Sequence, residues 1–154
     1  MTDRPAVRIL HGPVGSGKTS RALVWIAGRR PDEVGGVVTL KTETGRVMRD
    51  LETGAFMPME GAAGDAPVAT VGPFRFRVAA FDWAADVLMR AAETRSYVVV
   101  DEVGPLELRG EGLAPALTVL MASRATPVLI VRTPLVAAVV ARFCAGRAVV
   151  ADPA

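Results

Sequence analysis

Residues 6–27 read AVRILHGPVGSGKTSRALVWIA. The first six, Ala6 to His11, read as a buried strand. The last ten, Lys18 to Ala27, are apolar almost all round, as a helix is when it packs against a sheet. Between them, Gly12-Pro13-Val14-Gly15-Ser16-Gly17-Lys18-Thr19 fits the pattern GxxxxGK[ST] in full. A strand, a glycine-rich turn and a helix in that order bring successive backbone N–H groups and the positive end of a helix to one point. That arrangement receives an anion of several phosphates. In such a loop the lysine, here Lys18, reaches the β- and γ-phosphates, and the hydroxyl of Thr19 is offered to Mg²⁺. The cradle is expected to run from Gly12 through Ser20. The chain has sixteen arginines and two lysines, and one of the two lysines fills the motif. A narrow ammonium enters such a loop, whereas a planar guanidinium is wider and binds differently.

Working outward, Gly28 and Pro31 should end the helix and Gly36 to Leu40 should form a second strand. Arg46 to Glu60 alternates around Glu52-Thr53-Gly54 and reads as a hairpin. Gly61 to Pro73 is rich in Gly, Ala and Pro and reads as a mobile surface loop. Phe74 to Val78 alternates as a strand, and Ala79 to Glu93 has helical spacing. Tyr97 to Val100 and Val128 to Val131 are short apolar runs of the kind found in central parallel strands. A helix is expected over Leu113 to Ser123, with Pro115 in its first turn. A second should run from an N-cap at Thr133 through Pro134 to Phe143, closed by Gly146. Ala148 to Ala151 reads as a last strand. Strands alternating with helices predict an α/β fold, a mainly parallel sheet covered on both faces with a hairpin inserted. Residues 1–154 are expected to form one domain, with no repeat or heptad.

Val98-Val99-Val100-Asp101-Glu102 is an apolar strand that ends in two carboxylates. Ligands of open α/β sheets lie off the carboxyl ends of the strands, so the pair should stand beside the phosphate loop. Asp101 is expected to support Mg²⁺, as the aspartate of a Walker B strand does. Glu102 is expected to act as the base that polarises the attacking water.

Together with GPVGSGKT, the continuation DEVGPLEL over Asp101 to Leu108 resembles the nucleoside-triphosphatase family of the thermophile NTPases and the human cancer-related nucleoside triphosphatase. The likeness runs from Val7 to about Phe143. It implies a three-layer P-loop NTPase fold of RecA-like type and slow, Mg²⁺-dependent hydrolysis of ATP, GTP and other triphosphates. By the same resemblance Lys18 and Thr19 match the phosphate and metal residues, Asp101 the metal aspartate and Glu102 the catalytic glutamate. The chain departs from the family in Val14, where thermophile members often have proline, and in Ser20, where they have a second threonine. It is also at the short end for the family.

Composition narrows the alternatives. Of the 154 residues 51% are apolar and 22% charged, a globular balance. A net charge of +2 gives no strong nucleic-acid signal. No apolar run approaches the roughly twenty residues of a membrane span, and no signal-peptide pattern opens the chain. With Cys144 the only cysteine, no intrachain disulfide forms, and a cytoplasmic setting is expected. His11 and Trp25 read as packing residues, and Phe81 and Trp83 as helix packing rather than base stacking. Glu107 is a candidate for ordering the site. Arg132, Arg109 and Arg21 are rival candidates for an arginine that stabilises transferring phosphate. Two other functions remain open on the same loop. One is a small-molecule or nucleotide kinase. The other is a nucleotide-dependent switch acting on a macromolecule.

Overall fold

The computed structural model describes residues 4–61 and 68–150. A seven-stranded sheet has the order β4-β3-β2-β7-β8-β1-β9. Its parallel part is β2 (Val34–Thr42), β7 (Tyr97–Asp101), β8 (Thr126–Arg132), β1 (Val7–Gly12) and β9 (Ala148–Val150). At one edge β3 (Gly45–Asp50) and β4 (Phe56–Pro58) run antiparallel. Because strand side chains alternate between faces, the core divides in two. Ile9, Val37, Val98, Val100, Leu129 and Val131 face one way and pack with α2 (Val78–Thr94), α4 (Ala114–Ala122) and the turn at Phe143 and Cys144. Leu10, Val38, Val99, Val128 and Ile130 face the other way and pack on α1 (Lys18–Ala27). Three layers result, as the alternation of strands and helices predicts.

The helix α1 occupies the predicted residues, but it is not buried all round. Ala22 and Trp25 meet the sheet, while Val24 is 76% exposed. Its N-cap is Gly17, left-handed at φ 83°, and Gly15 is left-handed at φ 74°. Only glycine enters that region without steric cost, so the loop's curl depends on these two positions. Trp25 meets Tyr97 edge to face at 5.1 Å between ring centroids.

Several expectations need correction. Residues 68–73 do not form part of an irregular loop. Strand β5 (Val68–Val71) pairs with β6 (Phe74–Arg77) across a two-residue turn at Gly72, a separate two-stranded sheet. The β-branched residues of VATV outweigh the Gly, Ala and Pro content of the stretch. The rest of that expectation, over 62–67, lies outside the described residues. Strand β2 continues past the expected Leu40 to Thr42 and turns directly into β3, while the hairpin expected around Glu52 is present as β3–β4 and forms the second turn of a meander. Thr133 does not cap a helix. It lies in a 3₁₀ turn, Thr133–Leu135, which leads through α5 (Val136–Val139) into a π turn, Val140–Cys144. Pro105–Leu108 forms a short helix, α3, that the sequence reading did not separate.

Gly36 holds the parallel and antiparallel parts of the sheet together. It sits at φ 111° opposite Val99, and a Cβ there would run into the Val99 backbone. Gly36→Ala should therefore cost on the order of 3 kcal/mol, about 6–12 °C in Tm. Urea denaturation measures it, and a loss under about 1 kcal/mol would show that the strand relaxes around the methyl group.

Candidate nucleotide site

The carboxyl ends of β1, β7 and β8 lie side by side, with Gly12 opposite Arg132 and Asp101 opposite Ile130. The phosphate loop leaves β1 there, and the acidic pair leaves β7. Lys18 is only 7% exposed, and its Nζ donates to the Pro13 carbonyl at 3.1 Å. The Thr19 hydroxyl donates to Asp101 Oδ2 at 2.8 Å, across 82 residues of sequence. Asp101, 2% exposed, also accepts from the Thr39 backbone N–H at 3.1 Å, and the Thr39 hydroxyl donates to the Asp101 carbonyl at 2.6 Å. Thr39 was not anticipated. It is the one polar residue in the apolar stretch GVVTL, but its meaning depends on β2 lying next to β7.

Burial raises the Asp101 carboxyl to about 6, against the lowering effect of its hydrogen bonds to Thr39 and Thr19. In the folded protein Asp101 therefore keeps its proton to a higher pH than in the unfolded chain. Its contribution to stability is fully present below about pH 4 and is lost as pH rises through about 6, a change on the order of 3 kcal/mol. Burial also raises Glu107, which adds a slope of the same sign, so the informative quantity is the difference between wild type and Asp101→Asn. Without nucleotide or metal, the variant should be the more stable protein at pH 7, and the gap should close towards pH 4. Denaturation at a series of pH values checks this. A variant less stable than wild type at pH 7 would refute it.

Glu102 is exposed, and its Oε1 stands 3.6 Å from Arg132 Nε. Of the three arginine candidates, Arg132 is the one that lines the cavity at the loop. Arg21 donates to the His11 carbonyl at 3.1 Å, and Arg109 is tied to the Thr70 carbonyl at 2.9 Å and to Glu111 at 2.8 Å. His11 Nδ1 lies 3.1 Å from the Thr133 hydroxyl, which ties β1 to the end of β8. Glu107 is buried and accepts from the Gly104 N–H at 2.9 Å and the Leu113 N–H at 3.0 Å. It braces α3 and the segment leading from Glu102, and Gly112 leaves room for its carboxylate. Phe81 packs in the core and also lines the cavity, while Trp83 packs at the core's edge.

The Thr19 hydroxyl and the Asp101 carboxylate are hard oxygen donors in contact at the mouth of a phosphate loop. Mg²⁺ is commonly held by one or two protein oxygens with phosphates and water completing its shell, so these residues fit it. Among the described residues there is no group of three or more His, Cys, Asp or Glu that could hold a metal ion.

A phosphate loop facing an acidic strand end across a mainly parallel three-layer sheet defines a P-loop nucleotide-binding protein. The chain belongs to the NTPase family, whose profile matches residues 8–150, and it is a nucleoside triphosphatase by that membership. Its fold is similar to THEP1 from the hyperthermophile Aquifex aeolicus, at TM-score 0.71 and 22% identity over 94% of this chain and 87% of that one. It is also similar to a human cancer-related nucleoside triphosphatase, at TM-score 0.68 and 22% identity over 90% of this chain and 84% of that one. No curated protein sequence matches significantly. No helix among the described residues is long and apolar enough to cross a membrane.

Proposed function

We propose that this protein is a Mg²⁺-dependent hydrolase of nucleoside 5'-triphosphates, ATP and GTP among them, with little preference for the base. It would work in the cytoplasm as a single domain. The observation that carries the reading is the Thr19–Asp101 contact at 2.8 Å, which joins the phosphate loop to the acidic strand at one point. In this reading the amides from Gly12 to Ser20 and the Lys18 ammonium hold the phosphates. Thr19 and Asp101 hold the metal. Glu102 takes the proton of the attacking water, and Arg132, 3.6 Å from it, would meet charge developing on the γ-phosphate. Bound Mg²⁺ supplies neutralisation of phosphate charge.

The strong motifs here, the phosphate loop and the acidic strand end, address phosphate and metal, and none addresses a base. Discrimination among ATP, GTP, CTP and UTP should therefore stay within about tenfold, or roughly 1.4 kcal/mol. Phosphate release from each, with and without Mg²⁺, is the test. Full activity after chelation would remove the metal assignment, and a thousandfold preference for one nucleotide would reveal a specificity pocket.

A further inference from the structure

The cavity at the phosphate loop has a volume of about 470 Å³, and much of its wall is apolar. Met48, Met59, Val71, Phe76, Phe81 and Leu113 form that part. They come from β3, the residue after β4, the β5–β6 hairpin, α2 and the approach to α4. Phe76 meets Phe81 edge to face at 6.1 Å and stacks on Phe74 at 5.9 Å, so the wall is already assembled. Arg46 closes it from outside, 4.3 Å over the Phe74 ring and paired with Glu60 at 3.5 Å.

The position of this chamber decides what it can hold. On the nucleotide reading proposed above, the γ-phosphate lies towards Asp101 and Glu102 at the end of β7. In the main sheet β3 lies on the side of β7 away from β1 and β9, and the β5–β6 hairpin is joined to the chain just after β4 by the Glu60–Phe76 bridge and by the Arg77 N–H donating to the Met59 carbonyl. Neither β9 nor residues 133–144 line the cavity. The nucleoside hangs from the α-phosphate, at the opposite end of the triphosphate. The chamber therefore faces the γ-phosphorus and not the base. Water alone gains nothing from such walls, because apolar surface gives it no hydrogen-bond partners. A small organic molecule does gain, because its apolar surface leaves water on entering such walls.

We propose that the chamber is a phosphoryl-acceptor site for a small alcohol with an apolar body. The alcohol oxygen bonds to the γ-phosphorus as the bond from that phosphorus to the β–γ bridging oxygen breaks. The hydroxyl proton passes to Glu102 and on to solvent. The products are a phosphate monoester and a nucleoside diphosphate, and hydrolysis is the same displacement with water as the nucleophile. The apolar walls align the acceptor and keep water from competing.

The whole protein is incubated with Mg²⁺ and ATP labelled at the γ-phosphate, in 2-phenylethanol or in ethanol at equal concentration. Labelled ester and labelled phosphate are then separated. The ester-to-phosphate ratio should be at least about tenfold higher with 2-phenylethanol, since burial of its ring favours it over ethanol. Val71→Trp, which fills the chamber, should bring the ratio down to the ethanol value. In the unmutated protein, 2-phenylethanol should shift the methyl resonances of Met48 and Met59. Equal ratios for the two alcohols with unmoved methyl resonances, while phosphate is released normally, would overturn the acceptor site and leave the hydrolase. Absence of both labelled products would bring down the nucleotide reading, and the acceptor site with it.

Discussion

Glu102→Gln is expected to lower single-turnover hydrolysis of ATP by on the order of a hundredfold or more, the usual scale for loss of a general base. Mg·ATP affinity should be nearly unchanged. The amide keeps the size and the exposed position of the carboxylate but cannot take a proton. The lost interaction belongs to the transition state alone. Its pairing with Arg132 is long and partly solvated, at 3.6 Å with side chains 33% and 41% exposed, so little binding energy goes with it. Asp101→Asn should behave in the opposite way. Asp101 is buried against Thr19 and Thr39, and loss of its charge should raise the Mg²⁺ requirement and weaken Mg·ATP binding. The same substitution should stabilise the nucleotide-free protein at pH 7. Near wild-type turnover in Glu102→Gln would show that another group positions water. Glu107 would not be the first choice, because both its oxygens are already engaged by backbone N–H groups. Arg132 and the backbone after Glu102 would be examined next.

The parts of this protein legible in the sequence are those in which chemistry and local structure share one short stretch. The phosphate loop needs its strand, its glycines and its helix within residues 7–27, and all three are where the pattern puts them. The β7 strand and its carboxylates are likewise continuous. Connections across the sheet were not legible. Thr39 lies 62 residues from the Asp101 backbone it binds, and nothing near it announces the pairing. The apolar chamber draws on β3, β5, β6 and α2, and each contributes side chains that read locally as ordinary core. The VATV strand was hidden because Gly, Ala and Pro dominate its surroundings, although β-branched alternation is the stronger signal in a four-residue window. Glu107 was singled out by its place in DEVGPLEL, yet its bracing role became visible only once α3 and Leu113 were seen to meet. Which of Arg21, Arg109 and Arg132 lines the cavity also needed the fold, and it is Arg132.

Lys18→Ala should reduce ATP affinity by on the order of 3 kcal/mol, about 150-fold. The ammonium is nearly buried, and among the described residues it donates to the Pro13 carbonyl at 3.1 Å. A single carbonyl is a poor counterpart for a buried positive charge, whereas the β- and γ-phosphates would supply the missing negative charge and strong acceptors. The gain on binding should therefore be large, and truncation should remove it. Truncation also frees the Pro13 end of the loop, so loosening of the loop must be separated from loss of charge. Lys18→Met keeps the apolar stem and should lose affinity to a similar degree, while Lys18→Arg keeps the charge and should not restore it, because the planar guanidinium does not fit where the ammonium sits. AMP, which lacks the phosphates that lysine reaches, should bind all four proteins alike. Calorimetric titration of ATP and AMP into wild type and the three variants checks the pattern. Unchanged ATP affinity in Lys18→Ala would mean that residues 12–19 are not the phosphate site, and restoration by Lys18→Arg would mean that the loop reads charge and not shape.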